Sequence, residues 1–163
     1  MKMTSIKLNE FKETLIEGMV ENFKRDGFLT PLLFFYKDGE PIIGEIPFEL
    51  LESPDGKNLL AGIIRTICQE PNVLAAGIIM EANGAKIEND TEMAKLVKNG
   101  NVKISELKES QDIIVLMFST PEDEALIAYT VDCKNKTVNE LFGGEEMKKI
   151  GGIFSNFFTW NKN

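Results

Sequence analysis

No histidine occurs among the 163 residues. That absence removes Ser-His-Asp and Cys-His nucleophilic catalysis, imidazole acid–base chemistry and every histidine-containing metal site. Cysteine is nearly absent as well. Cys68 and Cys133 stand alone, with no CxxC pair, so a structural zinc site lacks ligands. Two isolated thiols in an acidic chain imply a reducing compartment, with both thiols buried and a disulfide between them as the minor alternative. Basic charge is scarce too: 18 Lys+Arg face 26 Asp+Glu, a formal charge of −8. The basic pairs Lys24-Arg25 and Lys148-Lys149 read as helix-end charges. They make no phosphate-binding footprint, so no nucleic-acid partner is expected. No apolar run reaches the ~18 residues of a membrane span. Met1-Lys2-Met3-Thr4-Ser5 lacks the apolar stretch of a signal peptide. The expected location is cytoplasmic, in the source cell or a host, with no membrane partner. Neither GxxxxGK[ST] nor GxGxxG occurs, and no cofactor is expected.

What is present is an ordinary globular composition, 43% hydrophobic and 27% charged. A chain of this length can bury a core without a metal or disulfide. Leu8, Phe11, Leu15, Ile16, Met19, Val20 and Phe23 recur at three-and-four spacing and predict a helix. Asn9 is its candidate cap, Lys24 and Arg25 suit its last turn, and Gly27 suits a left-handed stop. The opposite face carries Glu10, Glu13, Glu17 and Glu21, a solvated stripe or a docking surface for a basic partner.

Phe28 to Tyr36 and Pro41 to Ile46, joined at Asp38-Gly39, predict a β-hairpin. The first strand is apolar on both alternating faces and must be covered twice, by helices or by a partner. Pro31 and Pro41 belong near strand ends or on an edge. After a linker, Ser53 or Asp55 opens a second helix through Leu59, Leu60, Ile63, Ile64, Ile67 and Cys68, stopped by Pro71. Gly62 within it suggests close packing on the sheet. Val73 to Ala82, Ile113 to Ser119 and Ala125 to Cys133 read as strands, and Thr137 to Leu141 as a last one after the Lys134-Asn135-Lys136 turn.

The expected fold is a single α+β domain over 1–163, with a largely antiparallel sheet of about five strands flanked by helices. The order is α-β-β-α-β-insertion-β-β-α. Residues 83–111 form a polar insertion. Residues 143–163 form a Gly-flanked C-terminal helix with an aromatic stripe of Phe154, Phe157 and Phe158, and Trp160 beyond it.

Asp26-Gly27-Phe28-Leu29-Thr30-Pro31 after a helix, Glu81-Ala82 at a strand end, and Ile113-Ile114-Val115-Leu116 before an acidic turn carry a resemblance. Over residues 8 to 132 the chain resembles a loose group of uncharacterised bacterial and phage proteins. That group has an Asp-Gly-aromatic-Leu-x-Pro start and a Glu-Ala-Trp segment, where this chain has Asn83 in place of the Trp. The resemblance carries no activity. The element order is also similar to profilin-like and roadblock-type adaptor modules, an analogy of fold alone.

Candidates for chemistry are few. Glu81, ending an apolar strand, is a candidate acid or base through a raised pKa, with Tyr36, Asn83 and Lys86 as helpers near in sequence. The more ordinary alternative is a solvated strand end. Glu88, Asp90 and Glu92 are candidate ligands for Mg²⁺ or Ca²⁺, against the commoner reading of a solvated loop. Ser119 and Ser155 lack a base. Phe35, Tyr36, Phe154, Phe157, Phe158 and Trp160 are candidate interaction residues, against the commoner alternative that the aromatic cluster docks on the core. The leading expectation is a non-enzymatic protein-interaction or adaptor module that self-associates or binds a protein partner. One alternative is a carboxylate enzyme using a divalent metal. Another is a phage or mobile-element accessory protein that binds a host factor.

Overall fold

A strand that is apolar on both sides needs two covers, and the fold supplies both. The computed structural model describes residues 2–84, 111–141 and 157–158. Helix α1 (Lys2–Asp26) is followed by a hairpin of β1 (Leu32–Lys37) and β2 (Glu40–Glu45). A single 3-10 turn (Phe48–Leu50) leads into α2 (Pro54–Ile67), and β3 (Val73–Gly84), β4 (Gln111–Ser119), β5 (Glu124–Asp132) and β6 (Thr137–Leu141) complete the described elements. The six strands form one antiparallel sheet in the order β2-β1-β3-β4-β5-β6. This is a single α+β arrangement, with one strand more than the five expected.

Helix α1 covers one face. Phe11, Leu15, Met19 and Phe23 recur every fourth residue and all are buried. They pack on Phe34 and Tyr36 of β1, Ala75 and Ile79 of β3, Ile114, Leu116 and Phe118 of β4, and Ile127 and Val131 of β5. The Phe11 ring lies 5.6 Å from Phe34, 5.4 Å from Tyr36 and 6.1 Å from Phe118, so one helical side chain gathers three strand rings. Helix α2 covers the other face. Leu60, Ala61, Ile64 and Cys68 share a core with Phe35, Val73, Ala76, Ile78, Phe157 and Phe158. Ser53 caps α2 by accepting the Gly56 N–H at 3.0 Å, and Pro54 occupies its first turn.

Several boundaries differ from expectation. α1 begins at Lys2, so Asn9 lies inside the helix and caps nothing. Its end is as expected: Gly27, at φ +78°, donates its N–H to Phe23 O at 2.7 Å. β1 begins at Leu32, after Pro31, and Phe28 is exposed outside the strand. Gly62 points to solvent, and a Cβ there would touch nothing within 4 Å, so it is not a packing glycine. Of the expected insertion, Asn83, Gly84 and Gln111 are strand, with Asn83 opposite Asp112 and Gly84 opposite Gln111. Residues 85–110 lie outside the described residues. Of the expected C-terminal helix only Phe157 and Phe158 are described, and both are buried outside regular secondary structure.

The α1 face has a tight spot at Gly77. It stands between Phe34 on β1 and Phe118 on β4, whose rings lie 5.7 Å apart across it at 28°. A Cβ at Gly77 would run into Met117 O and come within 2.6 Å of Phe34 Cζ. The row has room for two rings only because its middle position has no side chain. Gly77→Ala is expected to destabilise the chain by at least ~2 kcal/mol, by overpacking at a backbone contact that cannot rotate away. Urea denaturation of the variant beside the wild type checks this, and an unchanged midpoint would contradict it.

Candidate functional site

The hairpin edge is built from local rules. Asp38 (φ 54°) and Gly39 (φ 79°) form a two-residue turn with both central φ angles positive, the pattern of a type I′ hairpin. Asp38 is held there from outside: its N–H donates to Asn72 O at 3.1 Å, and Asn72 Nδ2 donates to Asp38 Oδ1 at 2.7 Å. An ion pair of 2.7 Å between Lys37 and Glu70 ties the same corner. The turn sets Lys37–Glu40 as the hydrogen-bonded closing pair, and antiparallel alternation then follows. Glu40, Ile42 and Gly44 bond inward to β1, whereas Pro41, Ile43 and Glu45 point their main-chain groups away from the sheet. The Ile46 N–H, next in the inward series, donates to Pro31 O at 2.9 Å, in agreement with that alternation.

All six residues of β2 are exposed. Ile42, on the α2 face, is 49% exposed, and Ile43, on the α1 face, is 52% exposed. Beside Ile43 a groove of about 420 Å³ opens between α1 and the sheet corner. Its floor includes Leu15, Met19, Leu32 and Ile79, and Phe28, 57% exposed, stands at its wall. Arg25, Asp26 and Glu45 supply mixed charge around it. A second apolar surface lies on α2, where exposed Leu59 and Ile63 border a shallow hollow of about 460 Å³ with Gly62 and Thr66. Scattered exposed apolar residues are ordinary. Half-exposed isoleucines on both faces of an edge strand are less so, since edges are usually blunted by charge or proline.

The carboxylate candidate sits elsewhere. Glu81 lies within β3, not at its end, and is exposed. Partial burial raises its pKa above the ordinary 4.5, an N–H donated by Leu29 opposes this, and the nearby Asp112 carboxylate adds to the rise. Tyr36 is paired with Ala75, six residues before Glu81 along β3, or about 20 Å away. Asn83 shares the Glu81 face but is exposed, and Lys86 lies outside the described residues. The neighbours that sequence proximity missed are Asp112, brought across by the β3–β4 register, and Cys133, whose Sγ donates to Asp112 Oδ2 at 3.8 Å. Only the strand register, a non-local property, could have revealed them.

This cluster lacks the electrostatics of a nucleophile. Burial, then Asp112 and Glu81, push the Cys133 thiol above its ordinary value, whereas a reactive thiol needs a depressed one. Cys133 is exposed, contrary to expectation, because it falls one residue past β5 in the turn that Asp132 organises. There the Asp132 carboxylate accepts N–H groups from Lys134 and Asn135 and is held below its ordinary pKa. Cys68 is buried, and desolvation pushes it up to about 12; neither cysteine is in a disulfide. Ser119 Oγ is buried, and among the described residues no base is within hydrogen-bond reach of it.

Of the expected interaction residues, Phe35 and Tyr36 lie on opposite faces of β1 and are buried, as are Phe157 and Phe158. Their apolar surface is already used inside the chain, which corrects their assignment to an outer surface. Phe154 and Trp160, like Glu88, Asp90, Glu92 and Ser155, lie outside the described residues. Among the described residues no group of three or more Cys, Asp or Glu side chains could hold a metal ion, and no helix is long and apolar enough to cross a membrane. The chain matches no protein-family model, no curated protein and no solved structure.

Two outcomes follow from the ionisable groups. A disulfide reagent at about pH 8 is expected to label Cys133 and spare Cys68 until the chain unfolds. Equal labelling of both in the folded protein would contradict their placement. For Glu81, a folded pKa raised above the unfolded one means that the folded state binds the proton more tightly. Stability then falls as pH rises through the window above 4.5. Glu81→Gln, which keeps an acceptor for Leu29, is expected to be more stable than wild type at pH 7. The gap should close below pH 4, as read by thermal melts across pH.

Proposed function

We propose that this chain is a non-enzymatic protein-interaction module that works by self-association. The observation that carries the proposal is the unguarded apolar character of the β2 edge: Ile42 and Ile43 are half-exposed on opposite faces of a strand whose residues are all exposed. Apolar surface left in water is recovered on association. The groove beside Ile43 and the α2 surface of Leu59 and Ile63 add to the same tendency.

The described polar groups support the reading from the other side. Beside Asp112, Glu81 and Cys133 are both pushed above their ordinary pKa values, the opposite of what activates a thiol nucleophile. The acidic stripe of Glu10, Glu13, Glu17 and Glu21 is exposed along α1, opposite the buried Phe11–Phe23 series, and suits a solvated face. Sedimentation velocity between about 1 and 200 μM is expected to show a concentration-dependent shift from monomer to dimer. A monomer across the whole range would overturn the proposal.

A further inference from the structure

The geometry points to a specific mode of self-association, resting on the reading above: the β2 edges of two copies pair antiparallel about a two-fold axis, with Ile43 opposite Ile43 of the second copy. The outward main-chain groups of β2 are the Ile43 and Glu45 N–H and the Pro41, Ile43 and Glu45 carbonyls, given the type I′ turn and the inward Ile46 bond. With Ile43 opposite Ile43, the two Ile43 residues exchange both of their N–H···O bonds. Each Glu45 N–H then reaches the Pro41 carbonyl of the other copy. The missing Pro41 N–H leaves one Glu45 carbonyl per copy to solvent at the end of the pairing. Pro41 also costs the hairpin nothing, because its nitrogen faces away from β1.

Other symmetric registers are poorer. Centring on Ile42 sets Ile43 against Pro41 and loses the exchanged pair. Centring on Gly44 keeps the bonds but sets Ile43 against the Glu45 carboxylate. Centring on Glu45 sets two carboxylates face to face. In the Ile43 register each Glu45 lies opposite Pro41 and each Glu40 opposite Ile46, so like charges are offset and the apolar side chains meet. Among the described elements the approach is open. The principal sheet contacts of α1 are with β3, β4 and β6, and those of α2 with β3, so neither helix stands over the β2 edge. Residues opposite each other in an antiparallel pair point to the same face. Both Ile43 side chains therefore meet on the α1 side, at the mouths of the two grooves, and both Ile42 side chains lie on the α2 side.

A second copy fits this edge because each outward donor finds its acceptor on the same sequence run backwards, as an isologous two-fold contact requires. The area sets the strength. One short strand pair with Ile42, Ile43 and the flanking exposed Phe28 and Phe48 falls below the ~800 Å² per partner of a standard stable interface, so the dimer belongs to the weak, exchanging class.

Cysteine cross-linking of the full chain in a Cys133→Ser background tests the register. Ile43→Cys brings two thiols to a Cα separation of about 5.5 Å, within disulfide reach, and is expected to give a covalent dimer under mild oxidation. Glu45→Cys places its thiols about 14 Å apart, four residues along the strand, and is expected to stay unlinked. Ile43→Pro removes an outward N–H while sparing the hairpin, and is expected to weaken the dimer at least tenfold with an unchanged circular dichroism spectrum. A wild-type dimer in which Ile43→Cys fails to link, or Glu45→Cys links equally fast, would overturn the edge register while leaving self-association intact. A wild-type monomer at every concentration, whether or not a foreign strand takes the edge, would overturn both.

Discussion

The architecture depends on keeping water from two faces of one sheet. Strands β1 and β3 alternate Phe34 and Tyr36 against Phe35, and Ala75 and Ile79 against Ala76 and Ile78. Neither face can be left wet, because each presents several large apolar side chains, each stabilising by about 1.5–3 kcal/mol when buried. A half-solvated antiparallel sheet would need polar residues on one side. Among the described residues one helix lies on each face, and the middle strands are the most buried elements.

That constraint explains details that otherwise look unrelated. α1 places a large apolar residue every fourth position from Phe11 to Phe23, a row that follows a helix ridge and fits the groove of a twisted sheet. Phe11 can touch three rings only because Phe34 and Phe118 close over Gly77. These rings, on β1 and β4 with Gly77 of β3 between them, tie the register of three adjacent strands to the helix. A slip of one residue would turn Phe34 and Phe118 to the wrong face. α2 needs less bulk on its side, since Ala61 and Ala76 let it approach and Phe157 and Phe158 fill what remains.

Local signals were legible because each has a local physical cause. Gly27 ends α1, Ser53 caps α2 where Ser53 or Asp55 was expected, Asp38-Gly39 turns the hairpin, and β6 spans Thr137–Leu141 after the Lys134-Asn135-Lys136 turn. Asn9 misled because a good capping residue was followed by glutamates, although Lys2 to Leu8 are compatible with an earlier start. The two apolar faces of β1 showed that Phe35 needed cover but not whether a helix or a partner supplied it, and no local signal marked Ile42 and Ile43 as exposed edge residues. Exposure on an edge depends on strand order, and strand order is set by pairings distant in sequence. The same holds for Glu81: its neighbours Asp112 and Cys133 come from the β3–β4 pairing and the turn after β5, neither of which spacing along the chain reveals.

Covering two faces cannot cover an edge. A sheet that is closed above and below still ends in a row of main-chain groups, and at β2 these belong to Pro41, Ile43 and Glu45. Proline and glutamate are residues that discourage strand addition, yet here they flank an isoleucine pair instead of replacing it. Guarding both ends of a short edge leaves its centre open and narrows the ways a second strand can sit. Centring on Ile42 sets Ile43 against Pro41 and loses the exchanged pair, and centring on Glu45 sets it against its twin. An edge of this kind excludes indiscriminate stacking while permitting one symmetric contact. Specificity through selective discouragement asks for few attractive contacts, which suits a surface too small for a permanent interface.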